Sequence, residues 1–134
     1  MSIAQQVTVE VLTDRDVVEV RKAAKACATE VGFRLIAQTK LVTAASELAR
    51  NIVKYAQRGT VNMESLNENG RQGLRLVFED QGPGIENINQ AMQEGYTTGG
   101  GLGLGLVGTR RLVNEFEIES EPGKGTKITI TMWK

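Results

Sequence analysis

Leu74-Arg75-Leu76-Val77-Phe78-Glu79-Asp80-Gln81-Gly82-Pro83-Gly84 is the stretch on which the fold turns. The apolar run predicts a strand over 74–79, and Gln81 to Gly84 breaks regular structure. Asp80 is left at a strand end beside two glycines. A carboxylate there can accept a hydrogen bond from an amine while the bare backbone lets a flat ring approach. Taken alone, Asp-x-Gly-Pro-Gly is more often a plain turn, since all three residue types are turn formers.

Upstream, Val61, Met63 and Ser65 alternate in a partner strand, and Asn67-Glu68-Asn69-Gly70 joins the two as a hairpin. Val7, Val9 and Val11 alternate with Thr8 and Glu10 in a first strand, after which Thr13-Asp14 offers an N-cap. A helix then runs to Gly32 with Val17, Val20, Ala24, Cys27 and Val31 on one face. A second helix carries Leu41, Ala45, Leu48, Ile52 and Tyr55. Glu47 and Asn51 lie four apart on it, so they project from one face. A carboxylate and an amide oxygen so placed suit a hard cation such as Mg²⁺, and they are also what an ordinary solvated helix face looks like.

Downstream, a short helix is expected near Ile88 to Gln93. Thr98-Gly99-Gly100-Gly101-Leu102-Gly103-Leu104-Gly105-Leu106-Val107-Gly108 follows, with leucines rather than serines between its glycines. Such a loop packs on a core while keeping its backbone open to a ligand. It feeds a helix expected from Leu106 to Asn114, whose first amides would face an anion. Gly103 to Gly108 also fits Gly-x-Gly-x-x-Gly, but no strand directly precedes it and Lys127 occupies the region where a ribose-binding acid is expected. No Gly-Lys-Ser/Thr, His-Arg-Asp or Asp-Phe-Gly occurs, which excludes a P-loop and an ordinary protein-kinase domain. Phe116 to Ser120 and Lys127 to Trp133 read as strands around Glu121-Pro122-Gly123-Lys124-Gly125. Helices early and strands late predict an α+β fold: a two-layer α/β sandwich, its mixed and mostly antiparallel sheet covered by helices on one face. Residues 1–134 are expected to form a single domain.

Composition narrows the function. Lys plus Arg and Asp plus Glu both total 16, so no net field favours nucleic acid. The one cysteine, Cys27, sits among alanines and is expected to pack rather than react. No apolar stretch approaches the roughly 20 residues of a membrane span, and the N-terminus lacks a signal pattern, so a cytoplasmic location without membrane partners is expected. Histidine is absent, which excludes His-based triads, His-ligated zinc and phosphohistidine autophosphorylation.

Taken in order, Glu47-Leu48-Ala49-Arg50-Asn51, Asp80-Gln81-Gly82-Pro83-Gly84-Ile85, Gly99 to Leu106, and Gly125-Thr126 resemble the N, G1, G2 and G3 boxes of the GHKL ATPase/kinase superfamily. The resemblance covers nearly the whole chain and implies the Bergerat ATP-binding fold. The chain is too short for the transducer domains of the gyrase, Hsp90 and MutL branches. It has no phosphoacceptor histidine either, and is most similar to the small serine/threonine kinases that act as stressosome switches.

That resemblance implies ATP and Mg²⁺ as cofactors. Asn51 would ligate the metal, Asp80 would accept from the adenine amino group, and Gly82, Gly84 and Ile85 would line the ring, with Thr126 supporting Asp80. Gly99, Gly100, Gly101, Leu102, Gly103, Leu104, Gly105 and Leu106 would form a lid over the phosphates, and Glu47 is the candidate general base. The implied partners are STAS-domain scaffold and antagonist proteins as substrates, and a PP2C-type phosphatase activated on release. Alternatives are an anti-sigma-factor kinase holding a sigma factor, an ATP-gated module without catalysis, and an enzyme that simply hydrolyses ATP.

Overall fold

Period-two alternation in five segments builds one sheet. The strands are β1 (Ser2–Val11), β2 (Gly59–Glu68), β3 (Arg71–Asp80), β4 (Glu115–Glu121) and β5 (Gly125–Trp133). The computed structural model describes residues 2–82 and 105–134. Within them the strand order is β1-β2-β3-β5-β4, and every neighbouring pair is antiparallel. The register aligns two apolar rows across all five strands: Val9, Val61, Phe78, Ile128 and Ile118, then Val7, Met63, Leu76, Ile130 and Phe116. A slip of one residue would turn a whole row to the opposite face, so the core itself specifies the register.

Helices α1 (Asp14–Val31), α2 (Leu35–Asn51) and α3 (Gly105–Arg111) complete the core with these rows. In α1, Val17, Val20, Ala24, Cys27 and Ala28 recur at helical spacing and are buried. Small side chains at Ala24, Ala28, Ala44, Ala45 and Ala49, all fully buried, bring α1 and α2 close. Gly32 ends α1 at φ 97° with its N–H shared between the Ala28 and Thr29 carbonyls at 3.1 Å, and the Phe33 N–H also reaches Ala28. Burial and the nearby Glu30 push the Cys27 thiol above its ordinary value, so it packs as a protonated thiol.

Two sequence expectations are corrected. The second helix does not carry α-helical periodicity through Tyr55: it passes into a π-helical turn over Ile52–Ala56, closed by Gln57 N–H to the Ile52 carbonyl at 2.8 Å. The wider turn rotates later side chains off the apolar face, and Tyr55 stands exposed. The helix expected from Leu106 to Asn114 stops at Arg111, because Asn114 is claimed by the sheet. Its N–H donates to the Thr131 carbonyl and its side-chain oxygen accepts from the Trp133 N–H at 2.7 Å.

The face of the sheet away from the helices is polar. Gln6 and Thr8 donate to the Asn62 oxygen, Asn62 donates to Glu64, and Arg75 pairs with Glu64 at 2.8 Å. Glu64 is thereby buried with both carboxylate oxygens engaged. On the same face Trp133 lies against Gly73, where a Cβ would meet the indole at 2.5 Å. Arg71 covers the ring at 4.5 Å and Glu115 accepts from the indole N–H. A groove of about 420 Å³ runs beside these residues.

Asp16 gives a test of the α1 terminus. The Leu12 and Thr13 amides donate to its carboxylate at 2.8 and 3.0 Å and hold it below its ordinary pKa of 3.8. A carboxyl lowered in the folded state contributes stability that is complete above the unfolded value and is lost as pH falls through the folded one. Chemical denaturation across pH should therefore show wild type more stable than Asp16→Ala at neutral pH, with the gap closing below pH 3.8.

Candidate functional site

The site forms where β2, β3, β5 and β4 end together. Gly59, Asp80, Thr126 and Ser120 are successive register partners and lie on the helix-facing side of the sheet, continuing the alternation of Phe78, Ile128 and Ile118. Asp80 closes β3, as the sequence predicts. One of its carboxylate oxygens accepts from the Gly82 N–H at 2.9 Å, an Asx turn that aims the side chain. The other oxygen has no hydrogen-bond partner among the described residues.

Three glycines crowd this end. A Cβ on Gly125, at φ 95°, would lie 2.1 Å from the Asp80 carbonyl oxygen. A Cβ on Gly82 would lie 2.6 Å from the Ala56 methyl, so only a bare backbone lets the loop after Asp80 touch the π-helical turn. A Cβ on Gly59 would meet the Glu79 carbonyl oxygen at 2.5 Å and Ile52 at 2.9 Å. Ile52, 3% exposed, thus seats directly on β2 and draws the end of α2 down to the sheet beside Asp80.

That descent places Asn51, the last residue of α2, and Glu47 one turn earlier near the same sheet end. The Glu47 side chain is 15% exposed and receives Arg50 at 2.7 Å. The Asn51 side chain, half-buried, has no hydrogen-bond partner among the described residues. Helix α3 packs against α2, and its first residues, Gly105 at φ 72° and buried Leu106, belong to the same layer. Gly84, Ile85, Gly99, Gly100, Gly101, Leu102, Gly103 and Leu104 lie outside the described residues, as does the short helix expected near Ile88 to Gln93.

Chemically, the cluster offers acceptors. Asp80 presents a carboxylate oxygen at a bare-backbone edge, and Asn51 and Glu47 supply amide and carboxylate oxygens at a helix end. This fits a nucleotide with its metal, since Mg²⁺ commonly takes only one or two protein ligands beside phosphates. No group of three or more His, Cys, Asp or Glu gathers to hold a metal among the described residues. Sequence reasoning missed Gly59, Ala56 and Ser120: Gly59 and Ala56 act through contacts with residues 79–82, and Ser120 through the register of the β4–β5 hairpin. A glycine opening a strand after a long amphipathic helix was the one signal available for Gly59.

Residues 36–134 match the family described as histidine kinase-, DNA gyrase B-, and HSP90-like ATPase. The chain belongs to that ATPase family. Within the family it is 43% identical over 128 residues to the Serine/threonine-protein kinase RsbT of Bacillus subtilis, spanning 96% of both chains. It is 36% identical over 96 residues to the Anti-sigma F factor of Clostridium kluyveri, covering 67% of this chain and 66% of that relative. The histidine kinase domain of the Erythrobacter litoralis EL346 blue-light activated histidine kinase shares the fold at a TM-score of 0.57 and 20% identity, over 89% of this chain and 59% of that one. The α+β architecture expected from the sequence is therefore the family's own.

The glycine contacts separate backbone strain from close approach. Gly125 and Gly123 both have positive φ, 95° and 79°, but only Gly125 meets neighbouring backbone, while around Gly123 nothing lies within 4 Å. Urea denaturation should show Gly123→Ala costing about 1 kcal/mol. Gly125→Ala should cost roughly 2–5 kcal/mol, since the strand end must also move.

Proposed function

We propose that the chain is an ATP-dependent serine/threonine protein kinase of a cytoplasmic partner-switching pathway in bacterial stress signalling. Its substrates are serine or threonine residues of STAS-domain scaffold and antagonist proteins, and its released form binds and activates a PP2C-type phosphatase. One observation carries the reading: the likeness to a serine/threonine-protein kinase extends over 96% of both chains. The likeness to an anti-sigma factor spans 66% of that relative. It supports a second reading, capture of a sigma factor, for which stoichiometric binding of a sigma factor in the presence of ATP is the test. No described helix is long and apolar enough to cross a membrane.

Bound Mg-ATP supplies a γ-phosphoryl group for in-line transfer. Asp80 reads the base by accepting a hydrogen bond, with its turn geometry fixed by Gly82. Gly82 and Gly84, lacking side chains, would leave room for the ring. Asn51 would hold the metal through its side-chain oxygen, and the Gly99 to Leu106 segment would bind the phosphates. Glu47 would take the proton of the incoming hydroxyl as the hydroxyl oxygen bonds to phosphorus and the bond to the ADP oxygen breaks. Arg50 restrains the Glu47 carboxylate meanwhile. Phosphoryl transfer rests mostly on positioning and charge neutralisation, so Asn51 matters more than Glu47.

Two substitutions test these roles. Asn51→Ala should lower Mg-ATP-dependent phosphorylation of a STAS-domain partner at least about 100-fold with stability changed by less than about 0.5 kcal/mol; labelled phosphate appearing on the partner at the wild-type rate would refute the metal role. Asp80→Asn should weaken ATP binding itself by about tenfold or more, because a hydrogen bond to a charged group is lost, and calorimetric titration would report it directly.

A further inference from the structure

The Thr126 hydroxyl has a neighbour that decides which way its proton points. Ser120 on β4 is the register partner of Thr126 on β5, and Thr126 is that of Asp80 on β3. Ser120 Oγ donates to the Gly125 carbonyl at 3.0 Å and stands 2.9 Å from Thr126 Oγ1. A hydroxyl has one proton. With the Ser120 proton directed at Gly125, the proton between the two hydroxyls belongs to Thr126, and Thr126 donates to Ser120. The Thr126 oxygen then offers only lone pairs toward the side occupied by the Asp80 carboxylate.

The geometry points to Ser120 as a positioning residue for base selectivity: by consuming the Thr126 proton, it makes Thr126 a second acceptor beside Asp80. The inference rests on the nucleotide reading proposed above. Two neighbouring acceptors favour a ring edge that presents hydrogens, as the adenine amino group does. They disfavour guanine and hypoxanthine, whose carbonyl oxygen occupies the same ring position and would face lone pairs. Without Ser120, the Thr126 hydroxyl is released to turn its proton toward the ligand, and the penalty against a carbonyl edge shrinks. The Ser120 bond to Gly125 also ties the acceptor pair to the glycine packed on Asp80, so one side chain sets both the backbone and the proton.

The experiment is calorimetric titration of the full chain with Mg-ATP and with Mg-ITP, with thermal melting by circular dichroism as the fold control. Wild type should prefer ATP. Ser120→Ala should narrow the ATP-to-ITP affinity ratio by about three- to tenfold, whereas Ser120→Thr, which keeps the hydroxyl, should preserve it. Thr126→Val should narrow the ratio on its own, and adding Ser120→Ala to it should change the ratio no further. A ratio unmoved in folded Ser120→Ala, equal losses for both nucleotides, or an unmoved ratio in Thr126→Val would each overturn the role of Ser120 while leaving ATP binding intact. Wild type that binds neither nucleotide would overturn the nucleotide reading and this inference together.

Discussion

Close backbone contact around the last residue of β3 is the constraint on which the rest of the molecule depends. Two stretches distant in sequence, residues 52–59 and the start of β5, meet Asp80 or its flanking peptides at distances that no Cβ allows, through Gly59, Gly82 and Gly125. Each contact ties a different element to the same point: β2 and, through Ile52, the end of α2; the π-helical turn; and the start of β5. The apolar rows stabilise the sandwich as a whole, and a core of this kind tolerates hydrophobic exchange of similar volume. The glycine contacts tolerate no side chain. They fix where the polar groups of α2 sit relative to those of the sheet, and so set the geometry of the candidate site.

The sheet's two faces divide the work. On the helix side, two apolar rows end in the polar row of Gly59, Asp80, Thr126 and Ser120, so the site grows out of the core at the point where alternation runs out of hydrophobic residues. On the other side, Glu64 is buried yet fully engaged by Asn62 and Arg75. Removing only Arg75 would leave a buried carboxylate short of a partner, which is costlier than never having built the pair.

Much of this was legible in the sequence because it is local. Strand alternation, the Gly32 cap, the acid at a strand end and the four-residue spacing of Glu47 and Asn51 are all patterns within one element. The π-helical turn was not legible: Ile52 and Tyr55 continue a fair α-helical stripe, and what unwinds it is the demand that Ile52 seat on Gly59, a contact with a residue of β2. The early end of α3 has a similar cause, since Asn114 is a weak helix former in any case and β5 offers it two hydrogen bonds. Ser120 looked like one more polar position in an alternating strand. Its importance comes from standing opposite Thr126, and register is the part of a sheet that composition leaves unstated.

Trp133 has an optical consequence. It is the chain's sole tryptophan, packed on Gly73 beneath Arg71, and it looks out from the face of the sheet opposite Asp80. Its emission is therefore a built-in reporter of that face. A macromolecule covering the polar side would dry the indole and shift its spectrum to the blue, whereas a small molecule entering beside Asp80 is screened from it by the thickness of the sheet. One intrinsic chromophore can thus distinguish occupancy of the two sides of the same five strands.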